Sequence, residues 1–211
     1  MKNYGEEIVY WYFRLNGFIP MTNFVLHGDD VLEDSDCDLI AVRFPHVYEK
    51  VGGQDNDWDG ELLRSLGHDG EKTLVTFVQV KTGKGGGDHV AKIAKYFTDH
   101  LDYLVKRMGF WPQEEASQIA QEFNQTAVLP RDQYVLSKMV VLRALRSRQN
   151  EPAWLDLKFE RAIHFIMNRM RKYAPDKFED RMHFPDSIIQ LLVDQAHTEA
   201  HRWPPREPLR S

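Results

Sequence analysis

Three short stretches carry residues whose types could do chemistry together: Glu6 in Gly5-Glu6-Glu7, Asp36 and Asp38 in Asp36-Cys37-Asp38-Leu39, and Gln79 with Lys81 in Phe77-Val78-Gln79-Val80-Lys81. All three sit on segments that are otherwise apolar. Glu6 shares a helical face with Val9, Tyr10 and Phe13, so its carboxylate points toward the packed side and needs a partner. By strand alternation Asp36, Asp38, Ile40 and Val42 share one face and Cys37, Leu39 and Ala41 the other, while Gln79 and Lys81 extend the face of Val75 and Phe77. Carboxylates and a side-chain amide suit a hard cation such as magnesium, which takes oxygen ligands and keeps several waters. A lysine beside them could hold an attacking water or offset charge developing on phosphorus. Together the set suits phosphodiester hydrolysis.

These residues need an α/β frame to meet. Residues 5–16 read as a helix that is apolar almost all round and stops at Gly17. Strands are expected at Phe18–Leu26, with Pro20 marking an irregular or edge position, at Asp38–Phe44 and at Thr73–Lys81. Val90, Ile93, Ala94, Phe97, Leu101, Leu104 and Val105 recur at helical spacing, with Asp88 placed as N-cap. A short helix at Gln113–Glu122, a strand at Gln133–Leu142 and helices near Pro152–Lys172 and Pro185–His201 complete the reading. The 211 residues suit one domain with a helix-covered sheet, a surface excursion at about 46–72 holding a short helix at Gly60–Leu66, and a helical C-terminal extension at about 152–202.

The formal net charge of −5 argues against a protein that coats any polyanion, but it is an average over two unlike regions. Residues 1–60 carry four basic and twelve acidic residues, a net of −8, and residues 131–175 carry ten basic and four acidic, a net of +6. Such a split suits a cation site in one part and an anion site in another. In the basic part Arg161, Asn168 and Lys172 fall on one helix face that could follow a phosphate backbone, with Arg169 beside them. The loop Lys81-Thr82-Gly83-Lys84-Gly85-Gly86-Gly87 does not match a phosphate-cradling G-x-x-x-x-G-K-[ST] motif, although Lys84 could still touch a phosphate. His197 and His201 have i, i+4 spacing without the H-E-x-x-H pattern. Cys37 alone cannot form an intramolecular disulfide, and no run of about 18 apolar residues occurs, so a cytoplasmic protein without a membrane span is expected.

At Gly5-Glu6-Glu7-Ile8-Val9, Asn16-Gly17-Phe18, Asp36-Cys37-Asp38-Leu39-Ile40-Ala41-Val42 and Phe77-Val78-Gln79-Val80-Lys81 the chain resembles the PD-(D/E)XK nuclease superfamily. The similarity is to the Holliday-junction-resolvase and Mrr-like group, and it covers about residues 5–105. It implies a restriction-endonuclease-like αβββαβ core with a mixed central sheet flanked by helices. It further implies a divalent-metal-dependent endonuclease acting on DNA, with Mg2+ (or Mn2+) as cofactor and a homodimer as a common arrangement. Carried over by position, Glu6 takes the helix glutamate, Asp38 the first carboxylate, Gln79 the acid position and Lys81 the motif lysine. The metal would be held by Asp38, Gln79, the Val80 carbonyl and Glu6, with Asp36 as an extra carboxylate.

The chain departs from the pattern in two ways. No proline precedes Asp38, and Gln79 replaces the usual second acid, which removes one negative charge from the metal site. About 40 residues separate the two strand motifs, which makes the excursion at 46–72 a candidate substrate-contacting insert. Each piece also has a plainer explanation: Glu6 as a helix-dipole partner, Asp36 and Asp38 as turn residues, and Gln79 and Lys81 as a strand end meeting solvent. The alternative is a catalytically inactive nuclease-like domain that binds nucleic acid or a protein partner.

Overall fold

The computed structural model describes residues 3–26, 35–83, 89–143, 153–180 and 184–202. Its elements are α1 (Tyr4–Leu15), β1 (Ile19–Leu26), β2 (Ser35–Arg43), α2 (Gly60–Ser65), β3 (Thr73–Lys81), α3 (His89–Met108) and α4 (Gln113–Asn124). They continue with β4 (Val128–Pro130), β5 (Tyr134–Leu142), β6 (Leu155–Lys158), α5 (Phe159–Lys172), α6 (Ala174–Asp180) and α7 (Ser187–Arg202). The chain is a mixed α/β protein. The expected order of helix, three strands, helix and strand is present, with α2 inserted before β3 and α4 and β4 before β5.

The sheet runs β1-β2-β3-β5-β4, with β6 also on β5. β1, β2 and β3 form an antiparallel meander, and β3 pairs in parallel with β5. β4 takes the Val135–Ser137 part of the outer edge of β5 and β6 the Met139–Leu142 part. β1 is an edge strand, as Pro20 suggested.

Two cores flank the sheet. On one face Leu39, Ala41, Leu74, Val78, Val80, Met139 and Val141 pack under α1, α5 and α7. On the other, Ile40, Val75, Phe77, Leu136 and Val140 pack under α3 and α4. β3 is buried from Leu74 to Val80 because both of its faces are covered. α1 is capped by the Asn3 side chain, which accepts from the Gly5 N–H at 3.0 Å, and it ends before Gly17, whose φ of +79° suits only glycine without strain.

Several expectations need correction. The helix read over Pro152–Lys172 starts only at Phe159, because Leu155 and Leu157 alternate with Asp156 and Lys158 and form β6. A four-residue alternation next to a long amphipathic pattern is easily absorbed into it. β4 and α6 were not anticipated. Cys37 does not share a face with Leu39 and Ala41: it packs with Ile40 and Phe77 beneath α3. The strand rolls at Asp38, where the β1–β2 ladder skips the Asn23–Asp38 pair and Asn23 has a left-handed φ of 54°. One cation of the basic part, Lys138, lies inside the protein. It is fully buried between Phe97 and Phe123, donating to the Asn124 carbonyl at the end of α4, and burial pushes its ammonium down to about 8.

Candidate active site

The β2–β3 ladder runs from Arg43–Leu74 to Leu39–Val78 and stops there. Beyond it Asp38 bridges the diverging strands with its side chain. Its Oδ2 accepts the Val80 N–H at 2.6 Å and the Lys81 Nζ at 3.2 Å. A carboxylate therefore replaces the next rung of the ladder, which fixes its position against β3. Asp38 is 7% exposed and Gln79 3%, so both lie in a low-polarity setting where a charge needs close partners. Lys81, with its side chain 32% exposed, is the solvent-facing member.

Glu6 reaches this end of the sheet through its helix. A Cβ added at Gly5 would meet the Thr82 hydroxyl at 2.7 Å, so α1 approaches β3 closely only because residue 5 has no side chain. The first turn of α1, with Glu6 and Glu7, thus lies against the residue that follows Lys81. Asp38, Val80 and Lys81 are joined by hydrogen bonds, Gln79 directly precedes Val80, and Glu6 stands on α1, which packs on the Val78–Val80 face of the sheet and not on the Val75–Phe77 face that Gln79 and Lys81 extend. Asp36 lies in β2 opposite Val25, and its side chain is outside the described part. Lys84, Gly85–Gly87 and Asp88 also lie outside the described residues.

The donors at this end are all oxygens: two carboxylates, an amide and the Val80 carbonyl. That chemistry fits magnesium or manganese rather than a thiolate- or imidazole-seeking metal. Among the described residues no group of three His, Cys, Asp or Glu gathers around a common point, so a metal here would depend on Gln79 and backbone oxygen. Cys37, beside Asp38, is buried, and burial pushes its thiol up to about 12, which removes it as a nucleophile.

The basic residues read as phosphate contacts are placed elsewhere, and three of them have partners within the protein. Arg161 forms a two-pronged contact with Asp59, Nε to Oδ2 at 3.0 Å and Nη2 to Oδ1 at 2.5 Å, and also reaches Glu61. Lys172 donates to Asp57 Oδ1 at 2.6 Å. Arg169 is 4% exposed, donates to the Gly52 and Asp57 carbonyls and lies over Trp58 and Phe165. Asn168 is exposed and accepts from Arg171 at 3.4 Å. These cations hold the 46–72 excursion against α5. The excursion is anchored to α1 as well, since Tyr12 donates to Asp59 at 2.6 Å and Asn16 Oδ1 accepts the Asp59 N–H at 2.7 Å. Burial raises the Asp57 and Asp59 carboxyls, but the hydrogen bonds from Lys172 and Tyr173 to the first, and from Arg161 and Tyr12 to the second, outweigh it. Both are held below the usual carboxylate range.

α5 begins near the site, where Phe159 meets Tyr4 edge to face, and runs alongside α1 toward Trp58. Arg169 is ten residues farther along, about 15 Å at helical rise. The cations near the site are instead Arg143, just past β5, and Lys158, at the end of β6, neither of which sequence reasoning had singled out. The signal that could have found them is their place immediately after or at the end of apolar strand runs, the same rule that picked out Lys81. A separate open cavity of about 290 Å3 lies at the opposite end of β5, lined by Phe110, Trp111, Arg131, Asp132, Gln133 and Tyr134, and includes none of the candidate site residues.

Comparison with protein families, with curated proteins and with solved structures returned no match to the chain. No described helix is long and apolar enough to cross a membrane.

Proposed function

We propose that the chain is a divalent-metal-dependent endonuclease of the restriction-endonuclease-like type, hydrolysing phosphodiester bonds in DNA. The observation that carries this reading is the bridged end of β2 and β3. Asp38 is held there by the Val80 N–H and Lys81, beside Gln79, at the end of the sheet where the first turn of α1 meets Thr82. In this reading Asp38, Gln79, Glu6 and the Val80 carbonyl hold Mg2+ or Mn2+, with Asp36 on the same strand as a further carboxylate. The metal supplies an activated water and charge neutralisation at phosphorus. Lys81, paired with Asp38, orients the attacking water and stabilises the oxygens that gain charge in the transition state. Burial of Asp38 and Gln79 limits reorganisation of the ligands.

Asp38→Ala and Lys81→Ala are each expected to lower manganese-supported cleavage of plasmid, branched and linear DNA by at least a hundredfold. Their thermal midpoints should stay within a few degrees of the parent. Undiminished cleavage by either purified variant would refute the assignment.

A second reading, a nuclease-like domain that binds without cutting, is favoured by the neutral Gln79 and by the two donors that already converge on Asp38 Oδ2. Calorimetric titration with manganese separates the two. Asp38-dependent binding supports hydrolysis, and its absence supports the binding role.

A further inference from the structure

We propose that Arg143, seated on Tyr4 and Phe159, contacts a backbone phosphate of the DNA beside the Asp38–Gln79–Lys81 site. The class of ligand rests on the nuclease reading; the placement does not. β3 and β5 are parallel and in register, with Lys81 beside Leu142, so Arg143 falls alongside Thr82. Tyr4 reaches the same point from the other direction, because the next residue, Gly5, lies against Thr82. The Arg143–Tyr4 pair therefore borders the candidate site on its β5 side.

The guanidinium is held in a defined pose. Its carbon lies 5.6 Å from the centre of the Tyr4 ring and 5.8 Å from that of Phe159, and Nη2 donates to the Tyr4 hydroxyl. Phe159 is buried and anchors the stack, while Tyr4 is 45% exposed. A guanidinium stacked on rings keeps its donors at the rim of its plane, the geometry that engages two phosphate oxygens at once. Arg14, Arg131, Arg161 and Arg171 each pair with a carboxylate, and Arg169 binds carbonyls inside the protein. Arg143 is exposed and has no carboxylate partner among the described residues. At Lys81 the charge is offset by Asp38, so Arg143, together with Lys158, supplies positive potential at this end of the sheet. Pre-ordering by two rings lowers the rotamer entropy lost when an anion binds.

The test measures binding of a linear double-stranded oligonucleotide in EDTA, where cleavage cannot interfere, across a series of salt concentrations. Arg143→Ala is expected to weaken binding about tenfold and to reduce the slope of log K against log salt by about 0.9, the value of one phosphate contact. Arg143→Lys should restore the slope but only part of the affinity, because charge returns without the planar fork. Tyr4→Phe, which keeps the ring and removes the acceptor, should cost two- to threefold. Arg131→Ala, at the far end of β5, should leave affinity and slope unchanged. Equal affinity and slope for the parent and Arg143→Ala would overturn the inference even if the parent cuts DNA. Arg143-dependent binding by a parent that cuts no substrate would sustain it and overturn hydrolysis alone. A parent that binds no DNA would overturn both.

Discussion

Gln79 is the residue at which the site's chemistry is most open to change. It occupies a buried position directly before Val80, one of the partners of Asp38, and its neutral amide keeps the charge of the proposed ligand set low. Hard-cation affinity rises with the number of anionic ligands. Gln79→Glu is therefore expected to tighten manganese binding about tenfold by calorimetry, equivalent to about 1.4 kcal/mol, and to lower the metal-free thermal midpoint, since the added carboxylate is buried. An unchanged manganese affinity would place the metal elsewhere. At this scale the sequence was informative where a polar residue interrupted an apolar pattern: Glu6, Asp38, Gln79 and Lys81 could be singled out for that reason. It was uninformative for Arg143, because a lone cation after a strand has no anomalous pattern, and its rings come from residues 4 and 159.

α1 acts as a positioning element whose register depends on a missing methyl group. Gly5→Ala is expected to push the first turn of α1 away from Thr82 and lower cleavage more than tenfold with a small change in thermal midpoint. Adding Thr82→Ala, which removes the hydroxyl and methyl that the new Cβ would meet, should restore part of the rate; no recovery would argue that the first turn does not need this approach. Elements with long, uniform patterns, such as α3 and β3, were legible from periodicity alone. β6 was not, because four alternating residues sit directly against the stronger helical pattern of α5. The roll that places Cys37 in the other core was also hidden, since it coincides with a left-handed Asn23 on the neighbouring strand.

Across the whole molecule, the uneven charge of the chain has a different meaning from the one its totals suggest. Part of the acidic excess before residue 60 and part of the basic excess after residue 131 meet each other, through Asp57 with Lys172 and Asp59 with Arg161. The partners are more than 100 residues apart in the chain, so no local pattern could reveal them. Both carboxyls are held low in the folded state, so their contribution is fully present above the unfolded carboxylate range near pH 4 and is lost as pH falls through the lower folded values. Asp59→Asn is expected to destabilise the protein by about 2 kcal/mol at pH 7 by leaving Arg161 without its main partner. It should also flatten the acid limb of a stability–pH curve measured by urea titration. A parent-like acid limb in the variant would count against this account. Under the proposed function, DNA would be met at the carboxyl ends of β3, β5 and β6.

The division of the outer edge of β5 between β4 and β6 also governs how copies of the chain can meet. A sheet grows by adding strands to an edge with a long run of unpaired N–H and C=O groups. Here one edge is made of a three-residue strand that contains Pro130 and a separate four-residue strand, and the opposite edge carries Pro20, which has no N–H to offer. Strand addition is thereby discouraged at both sides. Two copies set side by side to cut opposite strands of a duplex would have to join through helices or loops, with their sheets remaining separate.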